Sequence, residues 1–154
     1  MDSLVQAADV AIRRTAVVRA TMRADGVADW LRGAFERVLR TLERQRIRPN
    51  GPPFARYTRR GELVEVEAGF PVEEPIDDDG DVVASGLPAG PAATVTHTGD
   101  VTGLDNAYRR INTWLKQHGF AVAGPHWEYY QHLDGDKRRA GHWRVDVVVP
   151  YRWR

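Results

Sequence analysis

The sequence contains no cysteine, and none of its apolar runs approaches the length of a membrane span. The first absence excludes disulfides and thiolate chemistry, and the second excludes a transmembrane helix, which needs about 18 apolar residues. Charged Asp9, Arg13 and Arg14 interrupt the first 20 residues, which therefore lack the apolar core of a signal peptide. These absences predict a cytoplasmic protein. Its 154 residues suffice for the buried core of one ordinary domain.

Motifs that hold metals, phosphates or catalytic nucleophiles are also missing. The chain has no phosphate loop, no G-x-G-x-x-G and no G-x-S-x-G. His126 and His132 share a predicted strand but stand about 20 Å apart at the usual rise per residue, too far to bind one metal ion. We therefore predict neither a metal nor a cofactor. Arg138-Arg139 is too small a basic patch to predict direct binding of nucleic acid.

Positive charge is absent from residues 61–106, which contain 11 acidic residues. The flanking segments are basic, so the net charge of the whole chain is only +1. A long acidic stretch can attract cationic partners by electrostatic steering. The alternative interpretation is a solvated acidic hairpin and loop that binds nothing.

What the sequence does contain is an internal repeat. Residues 17–57, shifted forward by 73 positions, align with residues 90–130, and the closing segments align at a shift of 79. The matched pairs are Gly26 and Gly99, Leu31 and Leu104, Ala34 and Ala107, Phe35 and Tyr108, Val38 and Ile111, Leu42 and Leu115, Phe54 and Trp127, and Tyr57 and Tyr130. The repeat predicts two copies of one structural module.

Hydrophobic periodicity gives each module the order strand, helix, strand, strand. The predicted elements of the first module are strands 10–24, 54–59 and 62–68 and helix 28–46, and those of the second are strands 92–97, 126–132 and 142–149 and helix 104–117. Asp29 is suited to cap the first helix at its start, and Gly119 is suited to the C-cap of the second.

The two modules predict a single α+β domain over residues 1–154. Module one covers about 10–72 and module two about 90–152, joined by an acidic linker over 73–89 with a short strand at 82–85. Two half-buried βαββ modules pair most simply about a pseudo-twofold axis. We expect one largely antiparallel sheet with the two main helices on one face.

One position breaks the repeat, because Ala55 aligns with Glu128. In the predicted strand 126–132, Glu128 shares a face with His126, Tyr130 and His132. A buried carboxylate requires a hydrogen bond or a cation, and it could act as a counter-ion or as a general base. The alternatives are an exposed edge-strand glutamate and one paired with an arginine.

The aromatic residues near Glu128 also allow two interpretations. Tyr130 could donate a hydrogen bond to Glu128 or to a ligand, but Tyr57 at the matching position favours a structural role equally. Tyr108 and Trp114 lie on the apolar helix face, where packing in the core is the usual role. His97 ends a predicted strand, where a structural role is also the usual one.

The order and spacing of several short motifs carry a family resemblance. They are Gly51-Pro52-Pro53-Phe54-Ala55-Arg56-Tyr57, Glu67-Ala68-Gly69-Phe70-Pro71-Val72, Leu87-Pro88-Ala89-Gly90, His97-Thr98-Gly99, Ala107-Tyr108, Trp114-Leu115, Gly124-Pro125-His126-Trp127-Glu128-Tyr129-Tyr130 and Val147-Val148-Val149-Pro150. Over residues 8–152 the chain resembles the GyrI-like small-molecule-binding domain, also called the AraC-type effector-binding domain, as a stand-alone member.

The resemblance implies a duplicated βαββ fold with an aromatic ligand cleft between the halves and Glu128 as the contact to cationic, hydrophobic compounds. The candidate ligand-binding residues are Glu128, Tyr130, Tyr57, Tyr108, Trp114, Trp143, Phe70 and His97. The expected partner is a hydrophobic or cationic small molecule, with no membrane and no direct nucleic acid, and a homodimer stays open.

Two other functions stay open beside binding. In a hydrolase of strained cyclopropane rings in DNA-alkylating natural products, Glu128 would activate water, and Tyr130 or Tyr57 would stabilise the oxygen that gains charge. In a gyrase-inhibitor-like protein, the acidic middle segment would mimic the charge of DNA.

Overall fold

The computed structural model describes residues 2–100, 103–132 and 143–154, and these contain nine strands and two α-helices. In chain order they are β1 (Gln6–Val10), β2 (Arg13–Met22), α1 (Val27–Gln45), β3 (Phe54–Arg60), β4 (Leu63–Pro71), β5 (Val83–Leu87), β6 (Gly90–Gly99), α2 (Leu104–Gln117), β7 (Phe120–Val122), β8 (His126–His132) and β9 (Trp143–Trp153). The α+β class is confirmed. His142, predicted to begin the last strand, and Arg138-Arg139 lie outside the described residues.

The chain divides into two compact units. The first unit is Ala11–Ala89, and the second unit combines Met1–Val10 with Gly90–Arg154. The strand predicted at 10–24 corresponds to β2, which is shorter at both ends. Strand β1 was not predicted, and it pairs with β6 in the second unit whereas β2 belongs to the first. With five residues, β1 is too short for a clear alternation of apolar and polar residues.

The first unit is an antiparallel sheet in the order β3-β4-β2-β5 with α1 against one face. Buried Ala34, Val38 and Leu42 repeat every four residues along α1 and pack on the sheet. The expected side-chain cap at Asp29 is not formed, since α1 begins after Gly26 and Asp29 lies inside its first turn. There the carboxylate still opposes the positive end of the helix dipole.

The acidic segment 73–89, predicted as a linker, is packed into the first unit. Its strand β5 pairs with β2, and its Ile76 and Val82 are buried in the core beneath α1. Arginines of α1 face its acids, with Arg44 bonded to Asp79 at 2.6 Å and Arg37 to Asp81. Two of its six acids are therefore paired within the unit.

The second unit repeats this plan with additions. Its antiparallel sheet has the order β1-β6-β9-β8, and β7 pairs with the end of β9. Helix α2 covers one face through Ala107, Ile111 and Leu115. The predicted C-terminal glycine is confirmed, because Gly119 follows the cap residue His118 with φ 74°.

The internal repeat is visible in the strand registers. Ala55 pairs with Ala68, and Glu128 pairs with Val147, so the shifts of 73 and 79 hold for the hairpins. The shift of 73 is wrong for the first strands, because Ala16 lies opposite Phe70 while Ala93 lies opposite Val149, which is a shift of 77.

The two shifts, 73 and 77, differ by four residues, which is about one helical turn. The buried faces of the helices still match at a shift of 73, from Ala34 to Ala107, so α1 carries an extra turn at its start. The structural counterpart of Gly26 is therefore Gly103, the residue that precedes α2, and not Gly99. The sequence alignment failed here because an added turn leaves the helical periodicity intact.

Candidate functional site

Strand β8 carries the central acid of the site. Glu128 lies opposite Val147 on β9, and Tyr130 lies opposite Val145. Both valines belong to the core that α2 covers, and Tyr130 packs against the same core. Alternation along the strand therefore directs Glu128 and Tyr130 to the α2 side of the sheet. Glu128 is only 7% exposed there.

Two tyrosines hold the carboxylate of Glu128. The Tyr130 hydroxyl donates to Oε1 at 2.6 Å, and the Tyr108 hydroxyl of α2 donates to Oε2. Among the described residues, none of the lysine or arginine ion pairs includes Glu128. Hydroxyl donors therefore supply the stabilisation that a buried carboxylate requires. We call Tyr108, Glu128 and Tyr130 the tyrosine–glutamate cluster.

His126 adjoins this cluster, although the sequence prediction did not include it among the ligand-binding residues. Its ring meets that of Tyr108 edge to face, with centroids 5.1 Å apart. Burial lowers the pKa of His126 below its ordinary value, and the nearby charge of Glu128 only partly opposes this. The ring is thus neutral at neutral pH. Its place two residues before Glu128 on one strand face was the available signal.

His97 is 4% exposed and makes two polar contacts of its own. Its Nδ1 contacts the Asp2 carboxylate, and its Nε2 lies 2.6 Å from the Asp100 carbonyl oxygen. Arg110 of α2 lies 3.4 Å from the other oxygen of Asp2. Burial by itself would raise the pKa of Asp2, but the contacts with His97 and Arg110 outweigh it and lower that pKa.

The other predicted aromatic residues have environments of their own. Trp114 stacks on His118 at 4.2 Å and also contacts Phe120 and Tyr151. Trp143 is half-buried at the start of β9. In the first unit, Phe70 is a core residue against Phe35, and Tyr57 is half-buried on β3. Of the eight predicted residues, the structure joins Tyr108, Glu128 and Tyr130 by direct hydrogen bonds.

Each unit has a surface cavity that does not include the cluster. A cavity of about 460 Å³ in the first unit is lined by Arg13, Arg14 and Asn50 among others. A cavity of about 510 Å³ in the second unit lies between Leu4, Arg109 and Trp114. The described residues contain no group of three potential metal ligands and no helix suited to cross a membrane.

The model of the GyrI-like small-molecule-binding domain matches residues 22–152. No curated protein sequence matches the chain significantly.

Several solved structures share the fold. The EcmrR C-terminal domain has a TM-score of 0.79 at 16% identity, covering 97% of this chain and 98% of that one. The chain spans 59% of the EcmrR chain in an EcmrR–DNA complex, with a TM-score of 0.78, 18% identity and 98% of this chain covered.

Two further structures show the same likeness. A hydrolase from Listeria innocua has a TM-score of 0.68 at 11% identity, covering 97% of this chain and 92% of that one. SAV2435 bound to tetraphenylphosphonium has a TM-score of 0.63 at 13% identity, covering 97% and 94%. At such identities the likeness shows the fold alone.

Proposed function

Because the chain belongs to the GyrI-like small-molecule-binding domain family, we propose that it binds a hydrophobic, cationic small molecule with Glu128 as the anionic anchor. The observation that carries this proposal is a buried carboxylate held by two tyrosine hydroxyls. Hydroxyl donors orient the carboxylate without neutralising its charge. The charge is thus kept available for a cationic partner.

The cluster offers a ligand both charge and aromatic surface. An ionised carboxylate has about four acceptor positions, of which the tyrosines occupy two. The rings of Tyr108 and Tyr130 add cation–π attraction of about 0.5–2 kcal/mol per contact. Tyr57, Phe70, Trp114 and Trp143 stay in the proposal as predicted contacts, and the buried His97 stays as a residue behind the contact surface.

The buried position of Glu128 sets a condition on binding. With 7% exposure, the carboxylate is reached by a ligand that enters beside the rings of Tyr108 and Tyr130. Both tyrosines are half-buried, so their rings already lie at the surface of the unit. We propose that the ligand first contacts these rings and then the carboxylate.

Titration with tetraphenylphosphonium, the cation bound by SAV2435, tests the proposal. Glu128→Gln keeps the shape of the side chain but removes its charge, so we expect at least tenfold weaker binding by calorimetry. Glu65→Gln is the matched control, because that glutamate pairs with Arg60 on the hairpin of the first unit. Equal affinities of wild type and Glu128→Gln would contradict the proposal.

A hydrolase is the second candidate, and the pairing of Glu128 with Tyr130 is the observation that favours it. Glu128 would take a proton from water while the water oxygen bonds to a carbon of a strained cyclopropane ring. The electrons of the breaking ring bond would pass to a conjugated carbonyl oxygen, which Tyr130 would stabilise.

Turnover separates the two candidates. Wild type and Glu128→Gln are incubated with a cyclopropane-bearing alkylating compound, and ring-opened product is measured by mass spectrometry. Product from wild type alone, with binding retained in the variant, supports the hydrolase. Absence of product at saturating compound removes it and leaves binding.

A further inference from the structure

His97 contacts hydrogen-bond acceptors with both of its ring nitrogens. One is the carboxylate of Asp2, and the other is the backbone carbonyl of Asp100 at 2.6 Å. Neither oxygen can donate, so both ring nitrogens must carry protons for both hydrogen bonds to form. A neutral imidazole has only one N–H. The complete arrangement therefore requires the imidazolium form of His97.

This imidazolium joins three segments of the second unit. Asp2 belongs to the N-terminal segment, which is also bound to β6 where the Ser3 amide donates to the Thr96 carbonyl at 2.8 Å. Asp100 directly follows β6. Helix α2 joins through Arg110, 3.4 Å from Asp2. We call Asp2, His97 and Arg110 the N-terminal latch.

The start of α2 packs tightly on the latch. A Cβ atom added to Gly103, the residue before α2, would lie only 2.6 Å from Cε1 of His97. The first turn of α2 therefore rests directly on the imidazole ring. A movement of the His97 ring would therefore displace this turn, because the two are closely packed.

The same region of α2 carries a donor of the tyrosine–glutamate cluster. Tyr108 precedes Arg110 by two residues, and its hydroxyl reaches Glu128. His97, Val145 and Tyr130 lie in one row across β6, β9 and β8. Two strand spacings of about 4.8 Å thus separate His97 from Tyr130 in the backbone.

His97 has charged groups on several sides. Asp2 faces it from the N-terminal segment and Arg110 from α2, and Asp100 contributes its backbone carbonyl. On β8, Glu128 lies two residues before Tyr130. The contacts with His97 and Arg110 overcome burial and lower the pKa of Asp2. Asp2 is therefore ionised throughout the neutral range, and its carboxylate holds His97 and Arg110 together.

We propose that His97 is a positioning residue, which closes the N-terminal latch and keeps the Tyr108 hydroxyl on Glu128, so that breaking the latch weakens ligand binding. This inference rests on the proposed function for its binding readout. The latch acts through α2 and does not touch the ligand.

Asp2→Asn tests the latch, with Asp9→Asn on β1 as the matched control. We record the Cε1 proton resonance of His97 by NMR at pH 6, and we measure the affinity for tetraphenylphosphonium at the same pH. In Asp9→Asn, we expect the resonance and the affinity of wild type. In Asp2→Asn, we expect a shifted resonance and an affinity at least threefold lower.

Amide hydrogen exchange of residues 104–111 supplies a readout that needs no ligand. We expect Asp2→Asn to exchange these amides at least tenfold faster at pH 6, whereas Asp9→Asn matches wild type. Equal exchange rates and affinities of Asp2→Asn and wild type would overturn the latch. Failure of wild type to bind the probe would instead count against the proposed function, and exchange alone would then decide the latch.

Discussion

Glu128 and Ala55 occupy equivalent register positions in the two units, opposite Val147 and Ala68 respectively. Ala55 is fully buried on the α1 side of its sheet. Glu128 is nearly as buried on the α2 side, but there two hydroxyls replace apolar neighbours. The glutamate in place of alanine therefore needs donors from two elements. Tyr130 of β8 supplies one, and Tyr108 of α2 supplies the other.

Removing either tyrosine hydroxyl destabilises the second unit. Tyr108→Phe and Tyr130→Phe each leave the buried carboxylate one donor short, so we expect the free energy of unfolding to fall by about 1–3 kcal/mol. Urea denaturation at pH 7 measures this. In the described residues the Tyr151 hydroxyl makes no hydrogen bond, and its ring stacks on Phe120 at 4.1 Å. Tyr151→Phe is therefore the control, and an equal loss there would contradict the prediction.

His126 makes stability depend on pH. Burial lowers the pKa of His126, so the unfolded chain binds a proton more readily than the folded one. Stability therefore falls as the pH drops below the ordinary histidine value of about 6.5 toward the lowered one. We expect His126→Asn to lose less stability between pH 7.5 and 5 than the matched variant of exposed His118, His118→Asn. Equal losses in urea denaturation would refute this.

The sequence predicted some of these residues but not their partners. Alternation along one strand is local, so Tyr130 could be placed beside Glu128 from the sequence alone. The contact between His97 and Asp2 joins residues 95 positions apart. No periodicity reports such a contact, so His97 was predicted as a strand-end residue and a candidate ligand contact, without its partner Asp2. His126 was placed on the correct face, but its burial depends on packing against Tyr108.

At the scale of elements, the two helices end differently. Gly119 follows α2 with φ 74°, whereas the residue that follows α1 is Arg46, a non-glycine residue with φ 57°. The left-handed conformation costs an ordinary residue about 1 kcal/mol, and glycine adopts it freely. The helices themselves were predicted within one residue. The three-residue strand β7 was missed, because it has too few residues for a detectable alternation.

Exchanging the residue types at these ends has opposite effects. We expect Arg46→Gly to raise the free energy of unfolding by about 0.5–1 kcal/mol and Gly119→Ala to lower it by about 1 kcal/mol. No atom lies within 4 Å of a Cβ added to Gly119, so the loss would be conformational and not steric. Thermal unfolding of the two single variants checks both signs. A loss of stability in Arg46→Gly would show that the Arg46 side chain outweighs its backbone strain.

At the scale of the whole molecule, the acidic segment 73–89 has a different role from the one its composition indicates. Glycine, proline and six acids predict a solvated connector, yet Ile76 and Val82 enter the core of the first unit. Two apolar residues among acids carry too little periodicity to reveal this burial. Arginines of α1 pair with Asp79 and Asp81, two of the six acids of the segment.

Packing of this segment has a measurable consequence for stability. Ile76 is 6% exposed, so Ile76→Ala removes buried volume and should lower the free energy of unfolding by about 2–4 kcal/mol. Ile12 is 77% exposed, and Ile12→Ala makes the same chemical change with an expected effect within about 0.5 kcal/mol. Urea denaturation of both variants gives the comparison. If the two variants unfold at the same urea concentration, residues 73–89 contribute nothing to the core and act as the linker that their composition predicts.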